Sequence, residues 1–167
     1  MVTNRKIFKR LFFINNMDYE QFFSRKAEVV ARDLLGRALV RKTDKGITTG
    51  RILETAAYEY GSETPSRTGM KYSPGKIFLM PYRSFRMLNI ATDKEGKPSC
   101  VEIRTLGLHN KIIRGSARIA NHLGIGKNLD GILLGDELEI TGESVKRTEI
   151  KVYKGGSDNC IGIYSLE

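Results

Sequence analysis

The sequence predicts an α+β domain built on one curved, mainly antiparallel, barrel-like sheet with flanking helices. Short strand-like runs are separated by Gly-containing turns, helical periodicity appears in two places only, and these do not alternate with strands as βαβ units require. The 167 residues give room for a single such domain, assigned to 17–167. Apolar residues at 40% and charged residues at 28% fit a folded globular chain rather than a disordered one.

From Asp18 to Leu35 the apolar residues Phe23, Ala27, Val30, Ala31 and Leu34 recur at spacings of three and four, which predicts a helix with one buried face, stopped at Gly36. Arg37 to Arg41 and Ile47 to Tyr58 read as a hairpin around Asp44-Lys45-Gly46. Gly61 to Gly75, rich in Ser, Thr, Pro and Gly, reads as a loop. Strands are predicted at Ile77 to Met80, Leu88 to Thr92 and Cys100 to Thr105, the last two joined by the charged turn Asp93 to Pro98. A short helix opens at Ser116, whose hydroxyl is placed to cap the first turn, and runs to Gly124. Leu138 to Thr141 and Ile161 to Tyr164 complete the strands.

Twenty-eight Lys and Arg against nineteen Asp and Glu leave a net charge of +9, which favours a polyanionic partner without specifying one. Cys100 and Cys160 are far apart and lack CxxC spacing, so neither a disulfide framework nor a zinc site is expected and an intracellular setting fits. Residues 1–16 form a basic extension, with Arg5, Lys6, Lys9 and Arg10 and no acid. Its apolar run is too short for a signal core or a membrane span, and Met17 is an alternative start. His109 and His122 have no metal-ligand spacing and are given no role.

Strict alternation along Arg51 to Tyr58 puts Ile52, Glu54, Ala56 and Tyr58 on one face, so a carboxylate and a phenol share it. On these residues alone an exposed acid on an amphipathic strand is the better reading. Two acid-free stretches carry the positive charge. In Ser66 to Leu88, Arg67, Lys71, Lys76, Arg83 and Arg86 are interleaved with Tyr72, Phe78, Tyr82 and Phe85, and Ile103 to Leu129 holds Arg104, Lys111, Arg114, Arg118 and Lys127. Cations beside flat rings suit a phosphate backbone and stacked bases.

The order of these residues resembles the alkyladenine, or 3-methyladenine, DNA glycosylases of the mammalian type. The likeness covers nearly the whole chain after Met17. It is carried by Ala31-Arg32-Asp33-Leu34-Leu35-Gly36, by Gly50-Arg51-Ile52-Leu53-Glu54-Thr55 with Ala57-Tyr58, and by Gly69-Met70 leading to Pro74-Gly75. Tyr82 followed after six residues by Asn89, the strand Val101 to Arg104 and the helix Ala120 to Ile125 extend it.

The resemblance implies a monomeric, cofactor-free and metal-free enzyme that turns alkylated or deaminated purines out of duplex DNA and hydrolyses the glycosidic bond, with no membrane contact. It implies a base-binding pocket at Tyr58, Leu79, Met87 and Asn89, with Tyr58 stacking on a purine that often carries positive charge. Tyr82 would fill the gap left in the duplex, and Arg83, Arg86, Arg104, Arg114 and Arg118 would meet the DNA. Without the family context, Tyr82 reads as packing, Asn89 as a turn cap and Arg104 as a surface cation.

The chain departs from the family where chemistry is concerned. The family's Glu-Thr-Glu-Ala-Tyr places its water-activating acid at the position of Ala56, and a methyl group takes no proton. General-base assistance is worth roughly 10²- to 10⁴-fold in rate. Glu54 lies about 7 Å back along the strand and would need a displaced water or a bulge to substitute. Glu59, Glu63 and Asp93 have less geometric support. The loop after Tyr58 lacks the family's pocket His, Leu79 stands where a second aromatic wall is expected, and Cys160-Ile161-Gly162-Ile163 has lost the Arg of the family's closing Arg-Ile-Gly-Ile. Two further readings therefore stand beside the enzyme: a catalytically impaired lesion-binding protein, and an RNA-binding module on a related sheet.

Overall fold

The structure, a computed structural model, describes residues 17–61 and 71–167. The basic extension 1–16, together with Glu63, Arg67, Gly69 and Met70 of the expected loop, lies outside them. The architecture is a single α+β domain: among the described residues, three helices lie on a nine-stranded sheet in which every strand pairing is antiparallel. The sheet is curved but does not close into a barrel.

The expected first helix is two. Asp18 caps α1 (Tyr19–Phe23) by accepting from the Gln21 amide at 3.0 Å, and α2 (Ala27–Leu34) follows after a break at Ser24 to Lys26. The break has a structural use, because the carbonyls of Phe23 and Arg25 are turned outward to accept from the Asp93 amide at 3.0 and 3.1 Å. Periodicity alone does not register it, since Phe23 and Ala27 are buried on either side. In α2 the buried residues are Ala27, Val30, Ala31 and Leu34, and each large apolar side chain removed from water in this way contributes about 1.5–3 kcal/mol. Gly36 ends this segment at φ +85°, a conformation that strains any residue with a Cβ, and a Cβ there would also meet Val145 at 2.6 Å.

The strands are β1 (Ala38–Thr43), β2 (Gly46–Glu59), β3 (Ile77–Tyr82), β4 (Phe85–Ala91), β5 (Ser99–Gly107), β6 (Ile112–Arg114), β7 (Leu138–Thr141), β8 (Lys151–Tyr153) and β9 (Cys160–Ser165). They run in the order β3-β4-β5-β2-β1-β7, with β6 on β5, β9 on β2 and β8 on β9. The three-residue strands β6 and β8 have no counterpart in the sequence reading. Each is mostly exposed, so it carries no alternating apolar signal.

The centre of the sheet is the second half of β2, held between β5 and β9. Its register shifts at Leu53, and this bulge breaks the strict alternation expected for the strand. Ile52 turns into the main core and Ala57 also packs there, while Thr55 donates to the Ala31 carbonyl of α2 at 2.7 Å. Glu54 and Tyr58 face the other way, against Arg104 and against a smaller cluster of Phe78, Cys100, Tyr60, Tyr72 and Met80. Ile52 therefore does not share a face with Glu54, Ala56 and Tyr58.

Candidate active site

Cross-strand register fixes which side chains meet on the Tyr58 face. Ala56 pairs with Glu102, Glu102 with Asn89, and Asn89 with Phe78, so these four form one rung across β2, β5, β4 and β3. Tyr58 pairs with Cys100 on the next rung. Directly opposed residues on neighbouring strands point to the same face, at Cβ separations of about 4.5–5.5 Å.

Glu102 is the centre of this arrangement. It is 8% exposed, and Oε1 accepts from Ser116 Oγ at 2.7 Å. Ser116 is the first residue of α3 (Ser116–His122), and Gly115 occupies the cap position. The hydroxyl expected to cap the helix is thus committed to a buried carboxylate instead. Arg104, two residues along β5 on the same face, approaches Oε2 with Nη1 at 4.0 Å and donates from Nε to Glu54 Oε1 at 3.0 Å. Burial and then the negative charge of the neighbouring Glu102 raise the Tyr58 phenol well above its ordinary value. It stays protonated throughout the neutral range. Tyr58 is half-buried and stacks on Tyr60, with ring centres 6.2 Å apart and planes at 16°.

Next to Glu102 opens a cleft of about 820 Å³, walled by Phe85, Arg86 and Met87 of β4 and by Arg114, Ser116 and Arg118. This volume falls within the roughly 300–1,000 Å³ usual for small-molecule sites. Among the described residues Glu102 is the one acid on its wall, and it is also the neighbour of the Tyr58 phenol. The carboxylate therefore joins the cationic cleft to the aromatic cluster, and Tyr58 stands one residue behind the cleft wall.

Of the residues expected at the site, Met87, Arg86, Arg114 and Arg118 line this cleft. Tyr82 and Arg83 sit at the tip of the β3–β4 hairpin, where Tyr82 is 54% exposed opposite Phe85 at 59%, and the Arg83 guanidinium lies 5.5 Å from the Tyr82 ring centre. The two-residue turn Arg83-Ser84 needs a positive φ, and Arg83 takes it at 55°. Arg114 also holds both carboxylate oxygens of Glu167. Asn89 is 2% exposed, with its amide donating to the Met87 carbonyl at 3.0 Å and its oxygen accepting from Cys100 at 3.4 Å, so it underlies the rung without reaching the cleft.

Leu79 sits away from the cleft. It pairs with Leu88, is 1% exposed and packs in the main core, on the face opposite to Tyr58. The aromatic of β3 on the Tyr58 side is Phe78, the residue before it. Glu102 was not singled out from the sequence. Its signal there is one acid inside an otherwise apolar run, Cys100-Val101-Glu102-Ile103, and only the strand register gives that acid a neighbour.

Residues 21–163 match the family model of methylpurine-DNA glycosylase (MPG), and the chain belongs to that family. Among curated relatives, a Rubrobacter xylanophilus protein named "Putative 3-methyladenine DNA glycosylase" is 32% identical over 153 residues, covering 74% of this chain and 80% of the relative. Proteins of the same name from Oceanobacillus iheyensis and Borrelia garinii are each 33% identical, over 97 and 122 residues. These matches cover 52% and 62% of this chain, and 49% and 66% of those relatives. The chain thus spans about half the length of the Oceanobacillus protein that it matches. All three relatives are bacterial, so the match carries the family and not a mammalian branch of it. Among the described residues no helix is long and apolar enough to cross a membrane.

Proposed function

We propose that this protein is a DNA N-glycosylase that extrudes alkylated or deaminated purines from duplex DNA and releases the base as a monomer without cofactor. The reading is supported above all by the cationic cleft that meets a buried carboxylate beside an aromatic cluster, in a chain that belongs to the methylpurine-DNA glycosylase family.

Each part has a physical task. Arg86 and Arg118 face the phosphates of the flipped nucleotide, an interaction that gains free energy by releasing condensed counterions. Tyr82, exposed at the end of a stiff hairpin, enters the gap in the stack and offsets the unstacking cost. With the sugar and phosphate in the cleft, the base passes Glu102 toward Tyr58. Its neutral, electron-rich ring attracts a cationic alkylated purine more than a normal one. The specificity is then for positive charge and flatness.

One observation favours a second reading, a lesion-binding protein without turnover. Ala56 occupies the family's acid position and is completely buried. The deciding experiment is single-turnover release of 3-methyladenine from methylated duplex and of hypoxanthine from a deaminated one. Release by the protein as it stands supports excision. Lesion-selective binding with no release supports the second reading and overturns the first.

A further inference from the structure

We propose that Glu102 is the catalytic carboxylate of this chain, taking from the cleft wall the proton of the water that attacks the deoxyribose C1′ of the extrahelical purine nucleotide. The inference rests on the excision reading above and adds the residue that performs the step.

Register is the first ground. Ala56 and Glu102 are directly opposed on β2 and β5, so a carboxylate on β5 stands on the same rung as the position of Ala56. Burial is the second. Among the described residues Glu102 is the only acid in the buried class, and desolvating a carboxylate costs several kcal/mol unless it is paired. Here the partners are Ser116, which donates to Oε1, the Tyr58 phenol, which hydrogen-bonds to the same carboxylate, and Arg104, whose Nη1 is 4.0 Å from Oε2. These contacts fix the carboxylate at the cleft wall, where it can receive a water. Access is the third, since Glu102 lies on the cleft wall and Glu54 does not. Glu54 is also committed to a 3.0 Å ion pair with Arg104.

The step balances without further reagents. The water oxygen bonds to C1′ as the C1′–N9 bond breaks, and the electron pair of that bond leaves with the purine, neutralising it when it is a cationic alkylated base; a neutral deaminated purine leaves as its anion and takes a proton from solvent. The Glu102 carboxylate takes the water proton and later returns it to solvent. The products are free base and an abasic deoxyribose. Ser116 is a positioning residue that fixes the carboxylate through Oε1.

The test is single-turnover release of 3-methyladenine from methylated duplex by the full chain and by three variants, with lesion-duplex affinity and melting temperature measured alongside. Glu102→Gln keeps the shape and can still accept from Ser116, and it is expected to lose roughly 10²- to 10⁴-fold in rate while affinity changes less than about threefold. Ala56→Glu combined with Glu102→Gln returns a carboxylate to the same rung and is expected to recover activity. If Glu102→Gln melts well below the parent, the double variant decides: recovery supports the inference, and a folded but inactive double variant overturns it. Release by Glu102→Gln at the parent rate, or loss in Glu54→Gln instead, overturns the inference and leaves excision standing. No release by the parent removes both.

Discussion

Ala56 and Glu102 face each other across the β2–β5 pairing, one a completely buried methyl, the other a buried carboxylate held by Ser116. The resemblance puts an acid of this rung on β2, and in this chain the rung carries Glu102 on β5. The chemistry of a site depends on where a charged atom sits, not on which strand supplies it. A side chain moved across one rung stays within about 5 Å of its former place.

Tyr82→Ala is expected to slow base release from lesion duplex by about tenfold or more with little change in melting temperature. Stacking of a base on an aromatic side chain is worth ~1–3 kcal/mol, and a ring that is 54% exposed adds little to the core. Single-turnover rates and thermal melts check this together. An unchanged rate would take Tyr82 out of the DNA interface.

The cations of the cleft should show in the salt dependence of duplex binding. Replacing Arg86 and Arg118 by Gln is expected to lower the slope of log K against log salt by roughly 0.9 for each phosphate that is no longer neutralised. Arg114→Gln should lower it less, because Glu167 already occupies its guanidinium. Titrations at several salt concentrations measure both.

The Tyr58, Tyr72 and Tyr164 phenols are all raised above their ordinary value, each first by burial. The unfolded chain therefore loses these protons near pH 10 while the folded chain keeps them. The folded state then binds more protons, so stability is full below pH 10 and falls as pH rises beyond it. Denaturant melts from pH 8 to 11 should show the decline, and Tyr58→Phe should make it shallower.

Leu79→Ala is expected to cost about 2–5 kcal/mol of stability as a cavity mutation in the main core. The preference among damaged bases should be unchanged in the folded fraction. An altered base preference without a loss of stability would contradict the placement of Leu79.

Much of this architecture was legible in the sequence because local rules decide it. The β1–β2 hairpin follows from its turn residues, and β7 and α3 begin where expected because apolar spacing marks them. What failed depends on tertiary pairing that periodicity does not carry. The bulge at Leu53 answers to the β5 register, and the helix break at Ser24 to Lys26 answers to the Asp93 amide some seventy residues away. Leu79 and Phe78 take opposite faces of β3, which a likeness in residue order does not show. The acid that matters most was hidden for the same reason. Glu102 gains meaning only from the three strands beside it.

The most direct measurement is the single-turnover rate of 3-methyladenine release, parent against Glu102→Gln, with lesion-duplex binding measured alongside. The variant is expected to bind the duplex and to release base roughly 10²- to 10⁴-fold more slowly than the parent. Equal rates in the two proteins would contradict the assignment of that carboxylate.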